Sequence, residues 1–539
     1  MTNKELSKQI KLLGNLLELH GENSFKVKSY YNASFQVGRF PKPIAEMSSE
    51  EIVKLPGVGK NLAPKIEVAL ETGSIPNIDD YITATPGGVL EMLEIKGIGP
   101  SKIRTIWKDL NIDNIPDLKR VCIENKLSEV KGFGGKTQEK ILESIQFIQN
   151  NAGKVLYAEA EMAAKQILEQ IKQVNSGVEA SLTGQLLRRD DIIDKFEFLI
   201  GTESEEPYTE LMNQLDIAIP IQFYYCKPEE FFFHLLKTSG TEEHLSRLIA
   251  SDDDKTRTIE EIYQKNGFPY FIPEMRNGHK EFEWAKYYDQ DQIIQYKNLT
   301  GAVHNHSTWS DGAHSLEEMA RACMDLGYQY FGIADHSKTA IYANGLEIDR
   351  VYAQHKEIDE LNKKLAPFKI FKGIESDILN DGSLDYEEEV LKQFDYIVAS
   401  VHSQLNMDEE KATTRLIKAI ENPYTNILGH LTGRLLLRRN GYPLHYDKIV
   451  DACIANNVAI EINANPWRLD MDWRYVYDAM QKGAYFSINP DAHKKEGLLD
   501  MRFGVFSARK AGLIKERVIN TFDLSNLEGF FMKKNTFNS

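Results

Sequence analysis

Val303-His304-Asn305-His306-Ser307-Thr308-Trp309-Ser310-Asp311-Gly312 ends a short apolar run with two histidines one residue apart. Residues i and i+2 of a strand share a face, so both imidazoles can close on one cation. A lone His-x-His is weak evidence, because a single histidine is more often a surface or core residue with its hydrogen bonds satisfied. The stretch gains meaning from later ones. Asp335-His336, Glu375, His402, His430 and Asp491-Ala492-His493 each lie at the end of another apolar run.

Those runs alternate with amphipathic stretches of ten or more residues, the signature of parallel β/α architecture. The pattern predicts strands over 301–306, 330–336, 369–377, 396–402, 427–430, 459–463 and 485–489, with helices such as 316–326, 349–365 and 412–421 between them. Seven strands point to an α/β barrel one unit short of the eight-stranded kind, and such barrels gather functional side chains at the C-terminal ends of their strands. Six of the chain's 13 histidines stand at those ends. His314, His355 and His445 fall on expected helices or loops and take the ordinary reading.

The His-x-His, Ser310-Asp311-Gly312, Asp335-His336-Ser337, Gly373-Ile374-Glu375, Glu461-Ile462-Asn463-Ala464-Asn465-Pro466 and Asp491-Ala492-His493 resemble the PHP (polymerase and histidinol phosphatase) domain. The resemblance implies a (β/α)7 barrel and a cluster of two or three divalent ions. Its ligands carry over onto His304, His306, Asp311, His336, Glu375, His402, His430, Asp491 and His493. Glu375 is expected to bridge two ions, and Glu375 and His336 to stand closest to the chemistry. Imidazole with carboxylate suits Mn²⁺, Zn²⁺ or Fe²⁺ and does not choose among them. Ala302 stands where the family usually has an aspartate, and Leu431 where it has a proline. Arg434, Arg438, Arg439 and Arg468 lie near strand ends; any of them is a candidate phosphate clamp, Arg434 first, or an ordinary surface arginine.

Toward the N-terminus, a helix expected over 158–173 leads into a segment of strand character over 184–203. Aligned without gaps, Gly184-Gln185-Leu186-Leu187-Arg188 and Asp194-Lys195-Phe196-Glu197 resemble the palm signature of family X DNA polymerases, an α+β nucleotidyltransferase-like palm and thumb. The chain departs from that signature where it matters. Lys195 and Glu197 replace the two metal-binding aspartates, and Gln222 falls where a third is expected. Nucleotidyl transfer of this kind needs two cations held by carboxylates, and a lysine both removes a ligand and repels the ion. The polymerase site is therefore expected to be inactive. Asp190, Asp191 and Asp194 lie off the motif's register and read as a solvated loop. Residues 237–244 and 271–276 fit the thumb region loosely.

Farther out, three loops repeat one theme: Leu55-Pro56-Gly57-Val58-Gly59-Lys60, Ile95-Lys96-Gly97-Ile98-Gly99-Pro100 and Val130-Lys131-Gly132-Phe133-Gly134-Gly135-Lys136. Each is apolar-x-Gly-apolar-Gly and opens into an amphipathic helix. Glycine permits close approach of a phosphate, and a helix N-terminus offers it free N–H groups. One such loop could equally be a helix–helix turn without a ligand; three favour DNA. They resemble helix-hairpin-helix motifs, which grip phosphates without reading sequence. Gly57, Gly59, Lys60, Gly97, Gly99, Gly132, Gly134 and Lys136 are the expected DNA contacts. Ser24 to Tyr30 together with Lys65-Ile66 resemble the lyase domain of family X polymerases, in which a lysine at the place of Lys65 forms a Schiff base with an abasic sugar. The other reading of Lys65 is a phosphate-contacting surface lysine.

The net charge of −16 does not exclude DNA. The acidic excess lies beyond about residue 150, and binding follows the local field. Cys122, Cys226, Cys323 and Cys453 show no paired spacing and read as reduced thiols. No apolar run spans a bilayer and the N-terminus lacks a signal-peptide layout, so a cytoplasmic protein with no membrane partner is expected. The expected segments are 1–80 (lyase-like), 81–153 (fingers-like, helix-hairpin-helix), 154–295 (palm and thumb) and 296–539 (PHP). Helix-hairpin-helix loops, family X palm and PHP domain in that order resemble bacterial PolX proteins. That order implies a monomeric DNA-repair phosphoesterase, a 3′-5′ exonuclease acting at the 3′ ends of gapped or damaged DNA without sequence specificity. The alternatives are a working gap-filling polymerase, a small-molecule phosphatase and a non-catalytic DNA-binding scaffold.

Overall fold

The computed structural model describes every residue except Pro41, Asp216, 249–253 and 537–539. The chain forms two compact units, Met1–Ala152 and Gly153–Ser539.

The first unit is helical. Thr2 and Glu5 form a capping box at the start of Asn3–Leu19, which buries Leu6, Ile10, Leu13 and Leu17 at helical spacing against Ser24–Arg39. The three glycine loops turn alike. Gly57, Gly97 and Gly132 have φ of 79°, 93° and 93°, a region that favours glycine. Val58, Ile98 and Phe133 are buried beneath them. Gly99 and Gly134 are the N-caps of Pro100–Arg104 and Gly135–Asn151. After the first loop the helix Ala63–Thr72 begins one turn later than in the other two, with Leu62 and Ala63 donating to the carbonyl of Gly59.

The second unit begins with the helix Tyr157–Val174 and a three-stranded sheet. Phe196–Gly201 is its centre, antiparallel to Glu179–Leu182 and parallel to Ile221–Cys226. The segment of strand character expected over 184–203 opens instead with the helix Gly184–Arg188, and its strands are Ile192–Ile193 and Phe196–Gly201. Gly184 has φ of 54°, and a Cβ there would lie 1.8 Å from Glu197 Oε2, so the chain turns where the Glu197 carboxylate fills the space. This sheet's core includes Leu469 and Phe503 from the metal-site half, so the two halves of the unit share packing.

The remainder is parallel. Gly301–Ala302, Tyr330–Gly332 and Lys369–Phe371 form one ladder; Gly373–Asp377, Tyr396–Ser400, Ile427–Leu428, Ala459–Asn463 and Phe486–Asn489 form a second. The single strand expected over 369–377 is interrupted at Lys372, whose N–H leaves the ladder for Asp395 Oδ2 at 2.8 Å. Parallel bridges join His336 to Glu375 and Asn305 to Ala492, the latter linking the last strand position to the first. Helices such as Leu316–Asp325, Ile348–Leu365 and Glu409–Glu421 pack outside on an extensive apolar core. A smaller core gathers Tyr330, Phe371, Tyr396, Ile427 and Ala459, from the beginnings of the strands, around Leu527, Phe530 and Phe531 of the C-terminal helix. The opposite, C-terminal strand ends are left for the polar cluster. No helix among the described residues is long and apolar enough to cross a membrane.

Candidate metal centre

His304 and His306 do not project from a regular strand. The strand stops at Ala302, and His304 adopts φ of 63°, with the side chain of Asn305 tying the turn to the carbonyls of Ala302 (3.3 Å) and Gly332 (3.0 Å). Asp491 likewise has φ of 51°. Left-handed backbone at non-glycine residues costs on the order of 1–3 kcal/mol each and persists where surrounding contacts enforce it. Here it aims both side chains into one cluster.

Glu375 lies at the middle. Its Oε1 is 3.1 Å from His304 Nε2, 3.2 Å from His402 Nε2 and 3.0 Å from His430 Nε2. Its Oε2 is 3.0 Å from His336 Nδ1 and 3.7 Å from His306 Nε2. Asp491 Oδ1 stands 3.1 Å from His306 Nε2, and Asp311 Oδ1 3.3 Å from His493 Nε2 and 3.7 Å from His336 Nε2. All nine residues expected as ligands meet here. Eight of them fall into overlapping groups with donor atoms within 4.8 Å of one another: His306, Asp311, His336 and His493; His304, His306 and Asp491; His336, Glu375 and His402. Glu375 Oε2 and His336 Nδ1 face each other, buried, yet neither makes a hydrogen bond. Lone-pair atoms aimed at a shared point suit a divalent cation, so the donor set fits one.

Electrostatics keep the anionic ligands charged. Burial opposes ionisation of Glu375, but His402, His304 and His336 hold its carboxyl well below the usual range. Burial, with His493 and His336 alongside, lowers His306 to about 3. At His402 burial is outweighed by Glu375 and Asp377, which raise it to about 10. At His493 it is outweighed by Asp311 and Asp491, which raise it to about 9.

A ring of acceptors behind the ligands fixes their orientation. His304 Nδ1 donates to Glu461 at 2.5 Å, and Glu461 also accepts from the His430 N–H (2.6 Å) and Asn489 (2.8 Å). Ala302 is fully buried, and Glu461 from Ala459–Asn463 gives the first histidine its carboxylate partner. His402 Nδ1 donates to Asp377 at 2.5 Å. Asp335 accepts from Ser307 N and Oγ, Ser310 N and Oγ, and Gln354, which sets the loop carrying Asp311. The sequence reading assigned no role to Glu461 or Asp377. Asp377 was within reach, since it shares a strand face with Glu375 at i+2.

The arginines divide. Arg434 is part-buried and committed: it bonds Asp472 at 2.5 Å and the carbonyls of Arg468 and Leu469, with Asp191 3.8 Å away. It braces the loop rather than facing a substrate, which corrects its reading as the first phosphate clamp. Arg438 lies over the Trp467 ring and Arg439 bonds the Gly433 carbonyl. Arg468 points inward, with Nε 3.4 Å from Asp491 Oδ2. Asp191 is not part of a solvated loop either; it pairs with Lys510, and Asp190 with Arg188 at 2.7 Å.

In the three-stranded sheet, Glu197 and Gln222 are cross-strand partners. Lys195 Nζ lies 2.8 Å from Glu197 Oε1, Tyr224 donates to the same oxygen at 3.0 Å, and the Gln222 amide turns to the carbonyl of Phe223. In the helical unit Lys65 Nζ donates to Tyr30 Oη at 3.0 Å, in a cavity also lined by Lys26, Asp80 and Tyr81. A Cβ added at Gly59, Gly99 or Gly134 would meet nothing within 4 Å, so internal packing does not demand glycine there. Lys102 lies over the ring of Phe133, which places the second and third loops side by side.

Family models match three stretches of the chain. A helix-hairpin-helix domain matches residues 1–75, a SAM-like helix-hairpin-helix tandem 89–146 and the PHP domain 302–465. A probable phosphatase from Thermoanaerobacter sp. is 26% identical over 43% of this chain and 94% of its own length. A second, from Caldanaerobacter subterraneus, is 32% identical over 30% of this chain and 61% of its own. The DNA polymerase/3'-5' exonuclease PolX of Bacillus subtilis is 32% identical over 99% of this chain and 100% of its own. With that identity along its whole length, and both helix-hairpin-helix and PHP domains in place, the chain belongs to the bacterial PolX family of DNA polymerase X proteins with a C-terminal PHP domain.

Proposed function

We propose that this protein is a metal-dependent phosphoesterase of DNA 3′ ends, a 3′-5′ exonuclease or end-processing enzyme of DNA repair whose polymerase site is inactive. One observation carries the reading. The PHP cluster converges eight other donor residues on an ionised Glu375, whereas the palm-like sheet offers one carboxylate already paired with Lys195. The parallel strand positions and the Asn305–Ala492 bridge support a (β/α)7 barrel. The segments 1–80, 81–153, 154–295 and 296–539 serve as lyase-like, fingers-like, palm-and-thumb and PHP parts.

His304, His306, Asp311, His336, Glu375, His402, His430, Asp491 and His493 would hold two or three ions of Mn, Zn or Fe. When bound, such ions acidify water toward a pKa of about 7 and offset charge on phosphate oxygens. Glu461 and Asp377 fix the imidazoles at Nδ1, leaving Nε2 of His304 and His402 for ligation. Arg468 adds positive charge beside Asp491 for a phosphate oxygen. Gly57, Gly59, Lys60, Gly97, Gly99, Gly132, Gly134 and Lys136 hold the DNA backbone, and Lys65 is the residue for any lyase step at an abasic sugar.

Gapped DNA with a 5′-labelled primer, Mn²⁺ and the full chain tests this, with and without dNTPs. Shortening without extension is expected. Template-dependent extension by a Glu375→Ala protein would refute the inactive palm. Hydrolysis of small phosphate esters with none of DNA ends would favour the phosphatase reading that the Thermoanaerobacter relative's name carries.

A further inference from the structure

We propose that Ile341 and Tyr342 form a shelf at the mouth of the metal centre on which the 3′-terminal base of the DNA strand stacks. The inference rests on the DNA-end reading above and names what selects a nucleotide over a smaller phosphate ester.

Position comes first. The short turn Ile341–Ala343 follows the ligand His336 by a few residues. The Tyr342 ring centroid lies 6.0 Å from that of His336 and 6.4 Å from that of His402. Yet Ile341 is 80% and Tyr342 54% exposed, an aliphatic and an aromatic side chain at the rim of an otherwise charged site. Asp311 and His493 are the ligands with the most exposed side chains, so a phosphate entering the cluster leaves its nucleoside on the solvent side, where the rim residues stand.

Second, the backbone around the segment is anchored although its tip is exposed. Thr339 donates from N and Oγ1 to Asp385 (2.7 and 2.9 Å) and from Oγ1 to Asp377 (3.0 Å). Asn344 bonds the carbonyls of Ser310 and Trp309 at 3.1 and 3.3 Å. Arg350 bonds the carbonyls of Asn344 and Gly345 at 3.0 and 3.2 Å, and Leu346 N closes on the carbonyl of His336 at 2.8 Å. Gly345 is required, because a Cβ there would lie 1.9 Å from the Ser337 carbonyl. Asp377 accepts from both His402 and Thr339, so one carboxylate positions a ligand and the shelf together. A platform whose flanking backbone is anchored in this way needs little backbone ordering on binding.

Third, the chemistry suits a base. A phenol is uncharged at neutral pH, so the Tyr342 ring brings no further anion to a phosphate site. Stacking on such a ring tolerates any base, in keeping with loops that grip the backbone without reading sequence.

The test uses metal-loaded protein and single-stranded DNA whose last linkage is a phosphorothioate and whose 3′-terminal base is 2-aminopurine, with binding followed separately by anisotropy. Terminal 2-aminopurine fluorescence should be quenched on binding, and quenching should be lost in Tyr342→Ala, kept in Tyr342→Phe, and absent for an internal probe. In cleavage of normal ends Tyr342→Ala should raise KM about tenfold, the scale of one lost base–aromatic stack. It should leave cleavage of an end bearing an abasic terminal residue unchanged. Bound DNA with an unquenched terminal probe overturns the shelf, as does an equal loss on both kinds of end. Wild-type protein that binds but never cleaves DNA ends would instead overturn the proposed function.

Discussion

Glu197 and Glu375 are both buried carboxylates on parallel-paired strands of one compact unit, and the groups around them differ in kind. Glu197 meets a fixed ammonium, Lys195 at 2.8 Å, and a phenol at 3.0 Å. Its charge is answered by the chain itself, permanently. Glu375 meets five imidazoles between 3.0 and 3.7 Å, and an imidazole can give up its proton and offer a lone pair. The first arrangement is closed to a cation and the second invites one. The lesson is that a retained carboxylate says little until the charge of its neighbours is known.

The strongest way to break this contrast is Glu375→Gln. It should cut metal-dependent hydrolysis by more than the about 100-fold ceiling for losing an outer partner, and lower the metal content measured by mass spectrometry. Circular dichroism should stay unchanged. Full activity with full metal content would remove Glu375 from the centre of the site.

Arg434→Ala comes next and separates a brace from a clamp. Removing one member of a fully buried ion pair costs about 3–5 kcal/mol. Arg434 and Asp472 are part-buried, each side chain 14% exposed, with Asp191 beyond, so the low end of that range, about 3 kcal/mol, applies. Urea unfolding should show a loss of that order, while KM for the phosphoester stays near wild type under conditions where the variant is folded. A raised KM with undiminished stability would restore the clamp.

Glu461→Gln tests the outer acceptors. With its carboxylate charge gone, His304 loses the partner that fixes its tautomer, and activity or metal affinity should fall about 10- to 100-fold. Titration of metal into chelator-treated protein reads this directly, and an affinity equal to wild type would show that His304 needs no such partner.

Eight of the ligands were legible in sequence because they lie at the ends of apolar runs, and parallel strands bring such ends together whatever their separation along the chain. Asp311, in a loop, was legible only through the resemblance of Ser310-Asp311-Gly312 to the PHP motif. Their helpers were less so. Glu461 stood in plain view in a motif, but its partner His304 belongs to a distant strand position, and only the ladder order brings the two together. Arg434 misled for the same reason: an arginine near a strand end reads as a clamp until Asp472 and Asp191 are seen to claim it. The helix Gly184–Arg188 at the start of the expected strand segment was not legible, because its turn is dictated by Glu197, from a later strand. Local pattern identifies residues that meet through regular structure. It does not identify those that meet through one side chain filling another's space.

The smallest expected effect bears most directly on the closed site. Lys195 is 43% exposed on its side chain and Glu197 only 6%, so solvent screens the pair and its loss should cost about 1 kcal/mol or less. Glu197 keeps the Tyr224 hydroxyl in a Lys195→Ala variant, which limits the penalty of leaving the carboxylate unpaired. If Lys195 alone kept the palm silent, its removal would open a path to nucleotide addition. Gln222 supplies no anion, however, and one carboxylate cannot hold two cations. Primer extension should therefore stay absent in Lys195→Ala although its melting temperature barely moves. Extension by that variant would show that the two sites differ by a single removable charge rather than by their whole donor sets.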